Sequence, residues 1–422
     1  MTDLLIIGAG LSGLLAGVWA RRQGLRTRIA ATGLGATHWH AGTIDALGYL
    51  PGEDAPVRSP FAALTRLTAA RPGHPYALTG EAGLREALAA FRALLDELGL
   101  PYGGAANPDE NLLLPSPAGA PRPVYLAPAA QLAGDMSRPE PYLLVGFQAL
   151  RDFYPTVIAE NLTKLGFRSR AEFLPIELIT DRRDFSTIDL ARAMDSADLS
   201  RLANALKRVA APGERIGLPA ILGLRRHGQI IAALREAVGA PIFEIPTLPP
   251  SVPGLRLTTV LREHFERDLH GRLDLGMTVI DFRAEAGRVT WVASRASARP
   301  VRHRARRFLL ATGGILGGGF HSEPRGRVWE TIFDLPLTAP QKRSRWFRPD
   351  FLAPEGHPVF RGGVRVGPDF RPLTLAGEPA FENLWAAGNL LADSDPISER
   401  SLEGVAIATA LAAVTSLIKT DV

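Results

Sequence analysis

Three closely spaced glycines follow the first apolar segment of the chain. Residues 4–7 form a continuous apolar run, which is typical of a parallel strand buried on both faces. Gly8, Gly10 and Gly13 come directly after this run, and an apolar helix is predicted from there to about Gly24. In such a turn the first glycine permits the tight bend, the second lets the backbone approach a ligand, and the third allows close helix–strand packing.

This context predicts that the turn binds the phosphates of a dinucleotide. The GxGxxG spacing alone is weak evidence, but here it follows a predicted strand and opens a predicted helix. The first helical residues, Leu11 and Ser12, would present amide hydrogens and the positive end of the helix dipole to a pyrophosphate. The alternative is a glycine-rich turn that binds nothing.

Two later glycine turns favour a flavin over NAD as the bound group. Thr312, Gly313 and Gly314 follow a predicted apolar strand, and Gly388 and Asn389 follow another. In flavoprotein folds, strand ends of this kind close over the cofactor and hold its ribityl chain and pyrimidine edge.

The last predicted helix begins near Gly404 and Val405, and it would direct its N-terminus at the N1–C2=O edge of the flavin. Partial positive charge at that edge stabilises the anionic reduced flavin. A plain core helix explains the same length and apolar face equally well.

The second strand, predicted at residues 27–30, lacks the acidic residue that usually holds the adenosine ribose. Thr32 stands near that place instead. Either Thr32 and the backbone hold the ribose, or the adenosine half is bound loosely, or the cofactor lacks it. The pyrophosphate motif therefore favours FAD, and FMN stays open.

The segment after the second strand carries two histidines, a tryptophan and small residues. In a flavoprotein of this kind it passes the flavin ring, so His38 or His40 would contact the ring or donate to N5 or O4. Gly42 and Thr43 are expected cofactor contacts. The alternative is a surface loop whose tryptophan packs at a domain interface.

Arginines are the candidates for binding an anionic substrate. Arg256 follows the proline-rich turn at 246–253, and Arg345 lies beside a tryptophan and two further arginines. Guanidinium groups bind carboxylates and phosphates in a bidentate way. For each arginine a solvated surface charge is the alternative. His321 and His357 are weaker candidates for an acid or base.

Composition limits the possible functions. The chain has 422 residues, of which 46% are hydrophobic and 22% charged, as in a globular protein large enough for two domains. The net charge of +5 comes without a run of basic residues, so nucleic-acid binding is not expected. The absence of cysteine excludes disulfides, cysteine-held iron–sulfur clusters and thiol catalysis in this polypeptide. Any electrons must therefore reside on an organic cofactor and leave to another centre.

The sequence also predicts no metal site and no membrane span. Histidines and carboxylates show no metal-ligand spacing, and no run of eighteen apolar residues occurs. Because Met1, Thr2 and Asp3 lead directly into the first strand without a basic segment, a secretory signal is not expected. A cytoplasmic location follows as the expectation.

Together these features predict an α/β fold, in which a Rossmann-like flavin-binding domain with a parallel sheet carries an inserted α+β cap or substrate domain. The flavin-binding domain is expected at residues 1–135, 252–320 and 376–422. The cap, which would bind substrate or dock a partner, is expected at 136–251 and 321–375. The amphipathic pattern of residues 81–98 predicts a helix, and 188–209 another.

With these residues in view, the chain resembles the B subunit family of the anaerobic glycerol-3-phosphate dehydrogenase complex. More distantly, it looks like the flavoprotein superfamily of succinate dehydrogenase and fumarate reductase. The matching segments are GAGLSGLLAG at 8–17, residues 38–45, HPY at 74–76, IPTLPPSV at 245–252, GLRL at 254–257, NLWAAG at 383–388 and DPI at 395–397.

The resemblance implies a three-part enzyme: a sister flavoprotein subunit, this flavin-bearing subunit, and a cysteine-rich iron–sulfur subunit docked at the membrane. Glycerol 3-phosphate would be oxidised to dihydroxyacetone phosphate, with electrons passing towards quinone. The protein would then be cytoplasmic and peripheral to the membrane through its partners. FMN is the flavin usually ascribed to this subunit. The alternative is a subunit that relays electrons and assists assembly without binding the substrate.

One segment departs from the family pattern. Where a glycine-rich run is expected before the last helix, the chain has SERSLEG at 398–404. The resemblance therefore implies no detailed contacts at the pyrimidine edge of the flavin.

Overall fold

The structure, a computed structural model, describes residues 2–297, 299–324 and 327–420. The first and last residues of the predicted domains, Met1 and Val422, lie outside these ranges. The strands are β1 Thr2–Ile7, β2 Thr27–Ala31, β3 Tyr102–Gly103, β4 Leu112–Pro115, β5 Pro121–Val124, β6 Ala127–Pro128, β7 Tyr142–Phe147, β8 Ser169–Leu174, β9 Arg215–Pro219, β10 Ile242–Ile245, β11 Arg272–Leu275, β12 Val279–Glu285, β13 Arg288–Ser294, β14 Val301–His303, β15 Ala305–Leu310, β16 Phe320–Ser322, β17 Val328–Glu330 and β18 Leu384–Ala386.

The α-helices are interspersed among these strands, and over the ranges that the structure describes, eight successive strands, β11 to β18, separate the last two helices. They are α1 Leu11–Arg22, α2 Pro60–Ala70, α3 Pro75–Glu97, α4 Pro155–Lys164, α5 Thr187–Met194, α6 Leu199–Val209, α7 His227–Val238, α8 Val252–Glu263 and α9 Leu402–Lys419. The helix predicted at 81–98 is the longer part of α3, which is interrupted at Gly80, where φ is +64°.

The chain divides into two compact units. The first comprises Met1–Ala36, Asp45–Leu94 and Thr259–Val422, and the second comprises Thr37–Ile44 and Leu95–Thr258. This division differs from the expected domains, because residues 95–135 belong to the second unit and 321–375 to the first. The reason for the latter is backbone pairing: Val364 forms bridges with Leu337 and with Leu391, which follows β18.

The first unit is built on a parallel sheet with the order β11-β2-β1-β15-β18. Each pairing in this sheet is parallel. β1 is nearly fully buried from Leu4 onward, because helices and loops cover both faces of its apolar run. From β1 the chain continues to β2 on one side, whereas β15 pairs on the other. In open α/β sheets ligands bind outside the carboxyl ends of strands at such a change of direction.

The second unit contains another parallel sheet, with the order β10-β9-β7-β8. Helices α4 to α7 connect these strands, and the same unit also contains the antiparallel pairs β3–β6 and β4–β5. The helix expected at 188–209 is divided into α5 and α6. Helix α6 begins after Asp198, whose carboxylate accepts a hydrogen bond from the Ser200 amide and thereby caps the helix.

Helix α9 is the one stretch among the described residues that is long and apolar enough to cross a membrane, judged by length and composition. Its mean hydropathy is 1.5, and 61% of its 18-residue window is buried inside the protein. A mostly buried core helix passes the same test, so α9 is weak evidence for a membrane span. The helix contacts α1 in the first unit.

Candidate functional site

The three glycines of the turn after β1 have different surroundings. Gly8 has φ +112°, and a Cβ there would lie 2.2 Å from the Ala311 carbonyl oxygen. A Cβ on Gly13 would lie 2.0 Å from the Gly8 carbonyl oxygen. A Cβ on Gly10, in contrast, would meet nothing within 4 Å. The fold therefore requires Gly8 and Gly13, whereas no atom of the described residues lies close enough to an added Cβ to require glycine at position 10.

The space above Gly10 lies at the start of α1. Gly10 is the N-cap residue, with extended backbone and no side-chain capping bond, so Leu11 and Ser12 begin the helix. Amides of a first helical turn have no intrahelical acceptor and suit an anion. The expected phosphate contacts at Gly10, Leu11 and Ser12 therefore share one helix end.

The turn after β15 is equally tight. Gly313 has φ +78°, and a Cβ on Gly319 would lie 1.6 Å from the Gly313 carbonyl oxygen. A Cβ on Gly314 would lie 2.9 Å from the Asn389 carbonyl oxygen, so this turn packs against the one after β18. The Thr312 Oγ1 atom is buried and has no hydrogen-bond partner among the described residues.

The turn after β18 meets the start of α1. A Cβ on Gly388 would lie 2.2 Å from the Ser12 Oγ atom. The Gly388 amide donates to the Thr409 Oγ1 atom of α9 at 2.8 Å, which fixes the turn to that helix. The Asn389 Oδ1 atom is buried and, within the described part of the chain, lacks a hydrogen-bond partner.

Three expected cofactor segments thus converge at the carboxyl ends of β1, β15 and β18. Buried polar atoms without a protein partner are rare, and they call for a bound group or water. The Thr312 and Asn389 oxygens, together with the open space at Gly10, fit a polar ligand carrying phosphate. The residues at this edge of the first unit therefore fit a phosphorylated cofactor.

Two other expected cofactor residues have different surroundings. Thr32 is exposed at the end of β2, and its hydroxyl donates to the Thr278 Oγ1 atom at 3.0 Å. A Cβ on Gly404 would lie 2.2 Å from the Tyr76 hydroxyl, and the Gly404 amide donates to the Asp45 carbonyl at 3.1 Å. Val405 is fully buried. Gly404 and Val405 therefore pack within the protein, which differs from the flavin contact expected of them.

A buried ion-pair cluster, which the sequence did not reveal, lies beside the start of α9. Glu399 is fully buried and accepts hydrogen bonds from Arg71, the Asp395 amide and the Ser401 hydroxyl. It also accepts from His74 Nε2 at 3.1 Å, because His74 Nδ1 accepts from the Tyr76 amide and Nε2 must carry the hydrogen. Glu399 lies in the segment that replaces the expected glycine-rich run, so this segment serves to order the turn before α9.

The cluster makes stability depend on pH through His74. Burial, and next the charge of Arg71, lowers the pKa of His74 to about 3. The pKa of a histidine in an unfolded chain is about 6.5. Between these two pKa values, His74 is protonated in the unfolded chain and neutral in the folded one. Stability must therefore fall as the pH falls through this window.

We expect His74→Gln to flatten this dependence. Between pH 7 and pH 4.5, the free energy of unfolding should fall by about 3 kcal/mol less in the variant than in the wild type. Denaturant titration at the two pH values measures the difference. His321→Gln, which alters an exposed histidine, is the matched control. Equal pH dependence in wild type and His74→Gln would show that His74 does not carry the effect.

The expected catalytic histidines belong to the second unit. His40 accepts a hydrogen bond at Nδ1 from the Gly42 amide at 2.8 Å, so its neutral form carries the hydrogen on Nε2. Gly42 has φ +77°, and its carbonyl accepts from the Tyr102 hydroxyl at 2.5 Å. Thr43 is buried, and the His38 ring lies 5.5 Å from that of Trp39. Trp39 is 53% exposed, so its side chain is only partly packed.

The two expected catalytic arginines have different surroundings. Arg256 is buried and forms a bidentate ion pair with Glu244 at 2.6 and 2.9 Å. Its Nε also donates to the Gly223 carbonyl at 2.8 Å. Because these contacts occupy the guanidinium group, Arg256 is a structural residue of the second unit, contrary to its expected catalytic role. Arg345 is an exposed residue in a short 3₁₀ turn of the first unit.

Comparison with known proteins agrees with this geometry. The sequence model of the family described as FAD binding domain matches residues 3–401. The B subunit of anaerobic glycerol-3-phosphate dehydrogenase from Yersinia enterocolitica is 32% identical over 418 residues, which cover 97% of this chain and 96% of the relative. The protein of the same name from Pectobacterium atrosepticum is 31% identical over 425 residues, or 99% and 98% of the two chains.

The chain belongs to the B subunit family of anaerobic glycerol-3-phosphate dehydrogenase. The predicted family, its flavoprotein fold and its class as a flavin-dependent dehydrogenase or a component of one are thereby confirmed. The match to the FAD binding domain supports FAD as the flavin, with FMN as the alternative.

Among solved structures, a 3-ketosteroid delta1-dehydrogenase from Sterolibacterium denitrificans is 12% identical with a TM-score of 0.46, each chain being covered to 99%. A flavocytochrome c3 fumarate reductase is 10% identical with a TM-score of 0.42, covering 99% of this chain and 78% of that one.

Proposed function

We propose that this member of the B subunit family binds FAD in its first unit and acts in the oxidation of glycerol 3-phosphate to dihydroxyacetone phosphate. Gly10, Leu11 and Ser12 would hold the pyrophosphate by their amides. Thr312 and Asn389 would satisfy polar groups of the cofactor. The flavin, when bound, supplies a two-electron acceptor that can pass electrons onward.

One observation carries this proposal: the convergence of an open helix N-terminus with two buried, unpartnered oxygens at the carboxyl edge of a parallel sheet. The protein's own groups there offer hydrogen bonds to a phosphorylated ligand.

The electrons must leave this chain, since its 422 residues contain no cysteine to hold an iron–sulfur cluster. A sister flavoprotein subunit and a cysteine-rich iron–sulfur subunit at the membrane would complete the enzyme and pass electrons to quinone. The protein would then be cytoplasmic and peripheral to the membrane through these partners. FMN in place of FAD would agree with the absence of an acid near Thr32.

A subunit that only relays electrons is the second candidate function. It is favoured by the ion pair that occupies Arg256, because a relay needs no arginine for a phosphate. Purified chain alone, mixed with glycerol 3-phosphate without oxygen, separates the two. Bleaching of the flavin supports the dehydrogenase, whereas bleaching only after addition of the sister subunit supports the relay.

Acid release of the bound cofactor, followed by chromatography and mass measurement, tests the cofactor itself. FAD at about one per chain is the expected result. A colourless protein, produced with ample riboflavin and beside its partner chains, would contradict the proposal.

For His38→Ala we expect a changed flavin reduction potential or reactivity with nearly normal flavin retention, because the role expected of His38 is to tune the flavin, whereas the phosphates hold it. Spectroelectrochemical titration and flavin content measure the two properties. His321→Ala provides the matched exposed control. An unchanged spectrum, potential and turnover in His38→Ala would leave His38 as a loop residue only.

A further inference from the structure

A cavity in the first unit adjoins the turn after β18, since its lining residue Leu391 donates its amide hydrogen to the Gly388 carbonyl at 3.0 Å. Its volume is about 650 Å³, within the range of small-ligand sites. The charged side chains that line it are those of Arg71, Arg361, Arg365 and Asp393, and Gly73 and Leu78 contribute to its wall. The lining therefore holds three positive groups and one negative group.

The backbone brings Arg361 and Asp393 side by side. The Asp393 amide donates to the Arg361 carbonyl at 3.0 Å. Asp393 has φ +69°, a conformation that side chains rarely adopt and that concentrates at functional sites. A Cβ on Gly73 would lie 2.1 Å from the Asp393 Oδ2 atom, so the glycine makes room for this carboxylate.

The charged groups of this cavity are not used in binding one another. Among the described residues, the side chains of Arg361, Arg365 and Asp393 form no hydrogen bond and no ion pair. Arg71, in contrast, is buried and donates to Glu399. The charge of Arg71 is thus compensated, and two guanidinium groups and one carboxylate remain available.

The electrostatics of Arg71 agree with an excess of positive charge. Burial, and next the like charge of Arg361, lowers the pKa of Arg71 to about 10, although Asp393 and Asp395 act in the opposite direction. An anion bound near Arg361 would relieve this repulsion, whereas a cation would increase it.

We propose that this cavity binds a small hydroxylated anion, whose anionic group lies between Arg361 and Arg365 and whose hydroxyl group donates to Asp393. Two planar guanidinium groups can donate paired hydrogen bonds to a phosphate monoester, and a carboxylate can accept a hydrogen bond from an alcohol. The proposal deepens the proposed function, on which it rests for the choice of glycerol 3-phosphate as probe.

Isothermal titration of the purified chain with glycerol 3-phosphate, inorganic phosphate and glycerol tests this site. Glycerol 3-phosphate should bind more tightly than inorganic phosphate, and glycerol should not bind. Arg361→Gln and Arg365→Gln should each raise the Kd for both anions about tenfold or more, a change of about 1.4 kcal/mol. Asp393→Asn should raise the Kd for glycerol 3-phosphate without raising the Kd for inorganic phosphate. Asparagine tolerates the positive φ at this position.

Arg92→Gln, which removes an exposed arginine of α3 outside the cavity, is the matched control and should leave both Kd values unchanged. Thermal unfolding of each variant checks its fold, and Arg365 is itself exposed, so Arg365→Gln is expected to fold normally. No binding of either anion, or Kd values unchanged in both arginine variants, would overturn the proposal. Flavin content of the same preparations distinguishes this failure from failure of the flavin assignment.

Discussion

Replacing Gly10 by valine should yield a folded protein without flavin. A Cβ at this position meets no protein atom within 4 Å, so the fold has room for the new side chain. That room lies at the start of α1, where the phosphates would approach the backbone. The valine methyl groups would occupy the place of a phosphate, and we expect flavin content to fall at least about tenfold, as when about 1.4 kcal/mol or more of binding energy is lost.

Three matched substitutions make this prediction specific. Gly8→Val and Gly13→Val should damage the fold itself, because a Cβ there would lie 2.2 and 2.0 Å from backbone oxygens. Gly228→Val, at an open position in α7 of the second unit, should keep both fold and flavin. Visible flavin absorbance and circular dichroism measure the two properties. Yellow Gly10→Val protein at normal stoichiometry would refute the phosphate site.

Much of the first unit could be predicted because its signals are local. A buried parallel strand reads as a continuous apolar run, and β1 and β15 each end in one. The glycines after these strands stand at fixed short spacings, so their turns are visible in sequence. The helix predicted at 81–98 begins directly after Gly80, where positive φ interrupts α3.

The parts that could not be predicted depend on contacts between distant residues. Arg71 and Glu399 are 328 positions apart, and no spacing rule connects them. Val364 pairs through its backbone with Leu391, which follows β18. Residues 321–375 therefore belong to the first unit. Arg256 looked like an anion-binding residue because its type suits that role, whereas burial and the Glu244 partner decide its actual one.

Glu244→Leu should be among the most destabilising single substitutions in the second unit. The Glu244 carboxylate is buried, and although burial opposes its ionisation, the nearby charge of Arg256 lowers its pKa. Removing it leaves the Arg256 guanidinium buried without a counter-charge, which costs roughly 3–5 kcal/mol. We expect this loss in denaturant unfolding near neutral pH. The Leu222 amide, which donates to Glu244 at 2.9 Å, would lose its acceptor as well.

The pair also decides between the two roles of Arg256. If its role is structural, Arg256→Met should destabilise the protein about as much as Glu244→Leu, while turnover per folded, flavin-bearing molecule stays normal. The double variant Arg256→Met/Glu244→Leu should recover much of the lost stability, because an apolar pair of similar volume replaces both charges. A catalytic Arg256 gives the opposite pattern: unchanged unfolding free energy in Arg256→Met, turnover reduced by orders of magnitude, and no rescue in the double variant. Since the side chain already donates to Glu244 and Gly223, the structural outcome is the one that these contacts require.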